Sequence, residues 1–428
     1  MSDNLVSSMT EKQSWDLGTW LKYLESIHPS NIELGLSRIT KVFNTLNLNF
    51  DTKKVITVAG TNGKGTTCAF IEQALISKGH SVAVFSSPHL IDYRERVRIQ
   101  NQMLPESVHC QSFIDVENAR QGVSLTYFEF GALAALCLMA QSDADYILLE
   151  VGLGGRLDAV NIVDPDIAVI TSIGLDHQDW LGDTREKIAV EKAGIFRSHI
   201  PVVIGEPDPP STLISEADRF NVKAFWQGKD FSYQLDGEGF HWKDREQNIE
   251  ALPLPSIPLQ NVSTGLKVLA ILETHFSTAE LADIITNTKL PGRRQVIQKS
   301  PTVMLDVAHN PQATELLVKD LKSTQYNRVL AVVAMLADKD IRASLQPMVE
   351  VVTEWFCADL DVPRGAKGNF IASNLTTDKK VINFPTVVEA YENALEKAHD
   401  QDLVVVFGSF FTVAEILNLK GLSLSKEA

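Results

Sequence analysis

Residues Val55–Thr67 read VITVAGTNGKGTT. Val55–Ala59 is a short, largely β-branched apolar run, the pattern of a buried strand. It ends on Gly60, Gly63 and Gly65, and a helical pattern follows over Gly65–Lys78, closed by Gly79. Glycines let a backbone wrap closely around a phosphate chain, and the free N–H groups at a helix start point at it. Lys64 adds a cation for the β- and γ-phosphates, and Thr66 a hydroxyl suited to Mg²⁺. The spacing departs from G-x-x-x-x-G-K-[ST], because Val58 stands five before Gly63 and Gly65 separates Lys64 from Thr66. The stretch reads as a variant phosphate loop, with an ordinary glycine-rich turn as the alternative.

Outward from this loop the chain alternates strands and helices. Ser81–Phe85, Tyr146–Glu150, Ile167–Thr171 and Val202–Ile204 read as strands, and Tyr127–Gln141 as an apolar helix. Continuous apolar strands separated by helices predict a parallel sheet covered on both faces. Gln227–Trp242, with Gly237 and Gly239 amid alternating residues, predicts a β-hairpin. The pattern restarts with a strand at Val303–Asp306, a helix over Pro311–Lys322 and a strand at Val329–Val333. A helix at Ile341–Val351, a strand at Glu354–Ala358, a helix at Thr386–Ala398 and a strand at Leu403–Phe407 complete it. That is roughly 130 residues, enough for a domain of its own. The expectation is an α/β protein: a P-loop NTPase-like domain over 1–292 and a smaller Rossmann-like domain over 293–428, with a cleft between them.

Composition narrows the function. The 428 residues are 44% hydrophobic and 22% charged, which excludes wholesale disorder. A net charge of −15 argues against nucleic acid or an anionic membrane as partner, since both need a basic face. Cys68, Cys110, Cys137 and Cys357 are scattered and suggest neither a zinc site nor disulfides. The start MSDNLVSSMTEKQSW lacks the features of a signal peptide, and the apolar run Ala132–Ala140 is too short for a bilayer. A cytoplasmic protein is expected.

Further chemistry gathers at predicted strand ends. Leu149–Asn161 reads LEVGLGGRLDAVN, and a carboxylate at the buried position Glu150 must be paired or hold a metal. Its glycines lack the third position of a dinucleotide fingerprint, and Arg156 with Asp158 would also suit a tight loop carrying a surface salt bridge. Ile170–Phe196 places Asp176 and His177 just past a strand, at the carboxyl edge where open α/β sheets bind ligands. Ser87 follows its own strand in the same way, whereas Lys192 reads as a solvated helical lysine. Pro291–Arg294 (PGRR), Asp306–Pro311 (DVAHNP) and Gly408–Thr412 (GSFFT) stand out in the second half.

In order, IELGLSRI (Ile32–Ile39), VAGTNGKGTT, SSPHL (Ser86–Leu90), ERVRI (Glu95–Ile99), LTYFEF (Leu125–Phe130) and EVGLGGRLDA span the first part of the chain. TSIGLDHQDWLG, EKAGIFR (Glu191–Arg197), LPGR (Leu290–Arg293), DVAHNP and VPRGA (Val362–Ala366) continue the set. Together they resemble the folylpolyglutamate synthase family, near its bifunctional bacterial members, within the Mur ligase superfamily. The resemblance implies that Asn62, Gly63, Lys64, Gly65 and Thr66 hold the phosphates of ATP. It implies one Mg²⁺ on Ser87 and Glu150, and a second on His177 with a carbamoylated Lys192. Asn261, Arg293 and Asp306 match nucleotide-contacting positions, and His309 lies in the loop beside the adenine. Glu33, Leu34, Gly35 and Leu36, then Thr126, Tyr127, Phe128 and Glu129, then Leu157, Asp158 and Ala159, match segments that bind dihydropteroate. The pattern departs at Phe411, where close bacterial members carry histidine.

The activity so implied is ATP-dependent amide ligation: L-glutamate joined to dihydropteroate, and further glutamates to tetrahydrofolate, through an acyl phosphate. Lys64, His177 and Lys192 would be its catalytic residues, with a monomer as the expected state. Rival readings are a monofunctional folylpolyglutamate synthase or a muramyl ligase. A P-loop kinase or ATPase leaves Glu150, His177 and Lys192 unexplained, and a nicotinamide oxidoreductase rests on GLGGRLD alone. A non-catalytic nucleotide-binding protein would bind ATP without substrate-dependent ADP release.

Overall fold

The computed structural model describes residues 12–28 and 32–422. Contacts within the chain divide it into two compact units, one of 1–89, 93–173 and 185–288, the other of 90–92, 174–184 and 289–428. The first contains an eight-stranded sheet: β1 (Lys54–Ala59), β2 (Val82–Phe85), β3 (Val97–Ile99), β4 (Gln102–Met103), β5 (Tyr146–Glu150), β6 (Ile167–Ile170), β7 (Pro201–Ile204) and β8 (Lys223–Trp226). Their order across the sheet is β4-β3-β2-β5-β1-β6-β7-β8. All neighbours from β2 to β8 are parallel, and β3 and β4 add an antiparallel edge. The central strands β1, β2, β5, β6 and β7 are buried and largely apolar, as in a parallel sheet covered on both faces. β1 lies between β5 and β6, and the connections leaving β1 and β6 run in opposite directions. A crevice opens at the carboxyl ends of strands so arranged.

The predicted hairpin is a three-stranded antiparallel sheet, β9 (Phe231–Leu235), β10 (Gly239–Asp244) and β11 (Asn248–Pro253). β11 left little trace in the sequence, because it is an edge strand whose one fully buried side chain is Leu252. Phe231, Phe240, Trp242 and Leu252 of this sheet pack into the core around Leu259–Ile271, where the Trp242 indole donates to Ser263 Oγ at 3.1 Å. That helix lies against Lys64–Ser77, the helix that follows β1. Gly265 permits the approach: a Cβ there would meet Phe70 Cδ1 at 2.4 Å.

The second unit holds a six-stranded sheet in the order β12 (Gln295–Lys299), β13 (Thr302–Asp306), β17 (Leu403–Phe407), β14 (Val329–Val333), β15 (Glu354–Ala358) and β16 (Lys380–Phe384). Only β12 is antiparallel. β14 sends Ala331 and Val333 to one core and Leu330 and Val332 to the other, which is why its sequence is apolar without alternation. The helix expected over Ile341–Val351 ends at Leu345 and continues as a 3₁₀ turn over Gln346–Glu350. Pro347 has no N–H to continue the α-helical ladder. No described helix is long and apolar enough to cross a membrane.

Gly265→Val should therefore force the two packed helices apart. We expect a loss of about 1–3 kcal/mol, the usual cost of overpacking, read as a lowered urea midpoint. An unchanged midpoint would mean that the Phe70 ring simply turns aside.

Candidate active site

Four adjacent strands of the first unit end at one edge. β2 leads to Ser87, β5 ends on Glu150, β1 runs into Gly60–Gly63, and β6 runs into Thr171 and Ser172. Gly60 (φ +157°) and Gly63 (φ +85°) turn the loop, and Gly63 caps the following helix. Both positions exclude a side chain: a Cβ on Gly60 would lie 1.8 Å from Thr171 Oγ1, and one on Gly63 2.5 Å from Asn261 Oδ1. The loop is held from β6. Thr171 Oγ1 donates to Asn62 O at 2.6 Å, and the Asn62 N–H donates to Ser172 Oγ at 3.0 Å. Asn261 Nδ2 donates to Thr66 Oγ1 at 2.7 Å, and Gln260 Nε2 to the carbonyls of Gly205 and Thr171 at 2.7 and 3.2 Å.

Lys64 folds back over the loop and donates to Gly60 O at 3.0 Å and Thr61 O at 3.3 Å. Its partners are carbonyls, with no carboxylate among the described residues, so its charge is available to an anion. Glu150, 6% exposed, accepts the Ser87 N–H at 3.3 Å. Ser87 carries a hydroxyl and Glu150 a carboxylate, hard oxygen donors of the kind Mg²⁺ or Mn²⁺ takes. No cluster of three His, Cys, Asp or Glu side chains that could hold a metal occurs among the described residues.

Lys192 is 4% exposed, so the solvated-lysine reading fails. Its helix, Arg185–Ala193, lies against the glycine loop after β5, where a Cβ on Gly155 would come within 2.9 Å of Lys192 O. The surface salt bridge weighed for that loop is present, but the partner of Arg156 is Glu191, at 2.6 Å, and not Asp158. Asp158 is buried and accepts the N–H groups of Leu153 and Val160 at 2.8 and 3.1 Å. Burial pushes the Asp158 carboxyl up to about 6, against the pull of those N–H groups.

The three segments expected to bind a pteridine come together. Arg38, which the sequence left unassigned, pairs with Glu33 and, at 3.0 Å, with Glu129. Thr126 and Glu129 form a capping box at the start of Tyr127–Gln141. A Cβ on Gly152 would lie 2.4 Å from the Phe128 ring, which places that ring over the loop leading to Leu157–Ala159.

In the second unit Asp306 accepts the N–H groups of Arg294 and Ala308 at 2.9 and 2.8 Å. Burial pushes its carboxyl up, opposed by Arg293 and these N–H groups. Arg293 lies over the Phe410 ring at 4.8 Å, and His309 packs on the same ring at 6.3 Å, so Phe410 organises this site unforeseen. Phe411 beside it is 45% exposed. His177 belongs to this unit, whereas Ser87, Glu150 and Lys192 belong to the first. Its neighbour Asp176 accepts Lys339 Nζ at 2.6 Å and Asn310 Nδ2 at 3.0 Å, and faces His309 Nε2 at 3.4 Å. Burial would raise the Asp176 carboxyl, but the His309 hydrogen bond and the charges of His309, Lys339 and His177 hold it well below the usual carboxylate range.

Residues 58–266 match the Mur ligase middle domain, and 292–410 match the Mur ligase, glutamate ligase domain. The dihydrofolate synthase/folylpolyglutamate synthase of Escherichia coli K12 is 45% identical over 416 residues, 97% of this chain and 98% of its own. A solved structure of E. coli FolC in complex with DHPP and ADP superposes with a TM-score of 0.92 at 45% identity, covering 96% of this chain and 98% of that one. A bifunctional folylpolyglutamate synthase/dihydrofolate synthase with Mn, AMPPNP and L-glutamate bound gives 0.90 at 45% identity, covering 96% and 99%. Two Mur ligase domains in sequence, and close identity along nearly the whole of both chains, mean that this protein belongs to the dihydrofolate synthase/folylpolyglutamate synthase family of Mur ligases.

Proposed function

We propose that this chain is an ATP-dependent ligase that joins L-glutamate to dihydropteroate, and then further glutamates to reduced folates. The observation that carries the reading is one sheet edge: the loop Gly60–Thr66 with its available Lys64, Ser87 against Glu150, and the segment Thr126–Glu129 tied to Glu33 by Arg38. Residues 1–292 form the nucleotide-binding domain in this reading, and 293–428 the C-terminal domain.

Carboxylates do not react with amines in water, so the acceptor carboxylate first attacks the γ-phosphorus of ATP, forming a C–O–P link and releasing ADP. The α-amine of L-glutamate then attacks the acyl carbon, and phosphate leaves as the amine gives up its proton. Lys64 leaves the Gly60 and Thr61 carbonyls for the phosphates, where it offsets the charge spread over the transferred group. Asn62, Gly63, Gly65 and Thr66 line the phosphate chain, and Asn261 holds the Thr66 hydroxyl in place. Asn261, Arg293, Asp306 and His309 serve the nucleotide. Ser87 and Glu150 would hold one Mg²⁺, and His177 and a carbamate on Lys192 are the further metal ligands of this reading; the ions would supply Lewis-acid neutralisation of phosphate charge. Glu33–Leu36, Thr126–Glu129 and Leu157–Ala159 bind the pterin end, and the protein acts in the cytoplasm as a monomer.

ADP release is measured with Mg²⁺-ATP and L-glutamate, offering dihydropteroate and tetrahydrofolate in separate reactions. Both should support turnover, and Lys64→Ala should lower it by about 10²–10³-fold or more with either, the scale of losing one transition-state charge contact. Activity with tetrahydrofolate alone would make the enzyme a polyglutamylase only; near-normal turnover in Lys64→Ala would remove the loop from the mechanism.

Lys192→Ala should be inactive and partly restored by added formate or acetate, which supply the missing carboxylate oxygens. Full activity without rescue agent would rule out the carbamate.

A further inference from the structure

Within ERVRI two arginines lie one residue apart on either side of Val97, and their surroundings differ. Arg98 is spent on the protein: Nη2 donates to the buried Glu72 carboxylate at 2.9 Å, and Nη1 to Ser86 Oγ and Glu95 O at 3.3 and 3.2 Å. Arg96 is as deeply placed, at 9% exposure, yet only its Nε is engaged, donating to His89 Nδ1 at 2.8 Å. Its two Nη groups donate to no described residue, and no described carboxylate pairs with it. The guanidinium carbon lies 5.6 Å from the Tyr93 ring centre and 5.5 Å from that of Tyr127. Elsewhere in the chain Lys267 faces Asp244 at 2.8 Å and Lys339 faces Asp176 at 2.6 Å.

A guanidinium removed from water without an anion is costly unless something supplies one. The His89 contact fixes the Nε edge and the two tyrosine rings fix the plane, so the remaining edge presents a rigid pair of donors that matches a planar carboxylate. Its position identifies which carboxylate. The Arg96 carbonyl accepts the Ser86 N–H at 2.9 Å, one residue before Ser87 and its contact with Glu150. Tyr127 lies in the segment Thr126–Glu129. Arg96 thus stands between the metal-holding edge and the pterin segment, where the reacting carboxylate of the acceptor must lie in the function proposed above, on which this inference rests.

We infer that Arg96 binds the acceptor's reacting carboxylate and aims it at the γ-phosphate, with His89 as its positioning residue. Kd is measured by pterin fluorescence, in the presence of Mg²⁺ and a non-hydrolysable ATP analogue, for dihydropteroate and for an analogue bearing aniline in place of the aminobenzoate. The wild-type protein should prefer dihydropteroate at least tenfold. In Arg96→Gln that preference should fall to within twofold, with the carboxyl-free analogue bound as before and the ATP Kd unchanged. Arg96→Lys, which keeps the charge and loses the fork, should retain an intermediate preference, and it decides the matter if the Gln variant does not fold. A purely structural arginine would weaken both ligands alike and leave the preference intact, which would overturn the inference. A loss confined to ATP affinity would also overturn it, by assigning Arg96 to the nucleotide. Wild-type protein that neither binds nor glutamylates dihydropteroate would instead refute the proposed function itself.

Discussion

The shape of the loop after β1 depends on two hydroxyls at the end of β6. Thr171 and Ser172 both bond to the backbone of Asn62, and that clamp leaves no volume for a Cβ at Gly60. On the far side Asn261 presses on Gly63 and holds the Thr66 hydroxyl. A flexible loop thereby becomes a preformed cradle, and its preorganisation means that little ordering cost remains when a phosphate chain enters. The rest of the first unit serves this clamp. The three-stranded sheet buttresses the helix that begins with Leu259, and Gly265 lets that helix settle against the one after the loop.

The parallel strands were legible because strands buried on both faces must be apolar throughout. The helix Tyr127–Gln141 was legible because its sequence is largely apolar. β11 and β16 were not, since both are edge strands with half-exposed, mixed sequences such as KVINF. The site followed a similar division. Glycines and a lysine after a strand announce a phosphate loop by local chemistry. Thr171, Ser172 and Phe410 act through contacts distant in sequence or through ring stacking, and ordinary hydroxyls and phenylalanines carry no local mark of that.

Lys192 and Asp158 show how far the surroundings decide chemistry. Both lie in stretches rich in charge, where solvent exposure is the natural reading. Both are buried, because Gly155 and Gly194 let the helix Arg185–Ala193 and the loop after β5 pack without intervening side chains: a Cβ on Gly194 would lie 2.2 Å from Arg156 Cβ. For the lysine this is near-complete burial, at 4% exposure. The glycines, not the lysine, create it.

The overall charge of −15 and a set of anionic substrates look incompatible, yet the charges that matter are local. Most acidic residues lie on the solvated surface, where counter-ions screen them beyond about 8 Å at physiological ionic strength. Inside, cations are largely neutralised at short range: Arg98 by Glu72, Lys339 by Asp176, Arg38 by Glu33 and Glu129. Each such pair is satisfied and offers little to a ligand. Lys64 and Arg96 differ in having only carbonyl or imidazole partners among the described residues, and both stand at the carboxyl edge of the same sheet. An incoming anion therefore meets, on this edge, two cations whose hydrogen-bond partners are not carboxylates. Selectivity for anionic substrates comes from that contrast, with no need for a basic face.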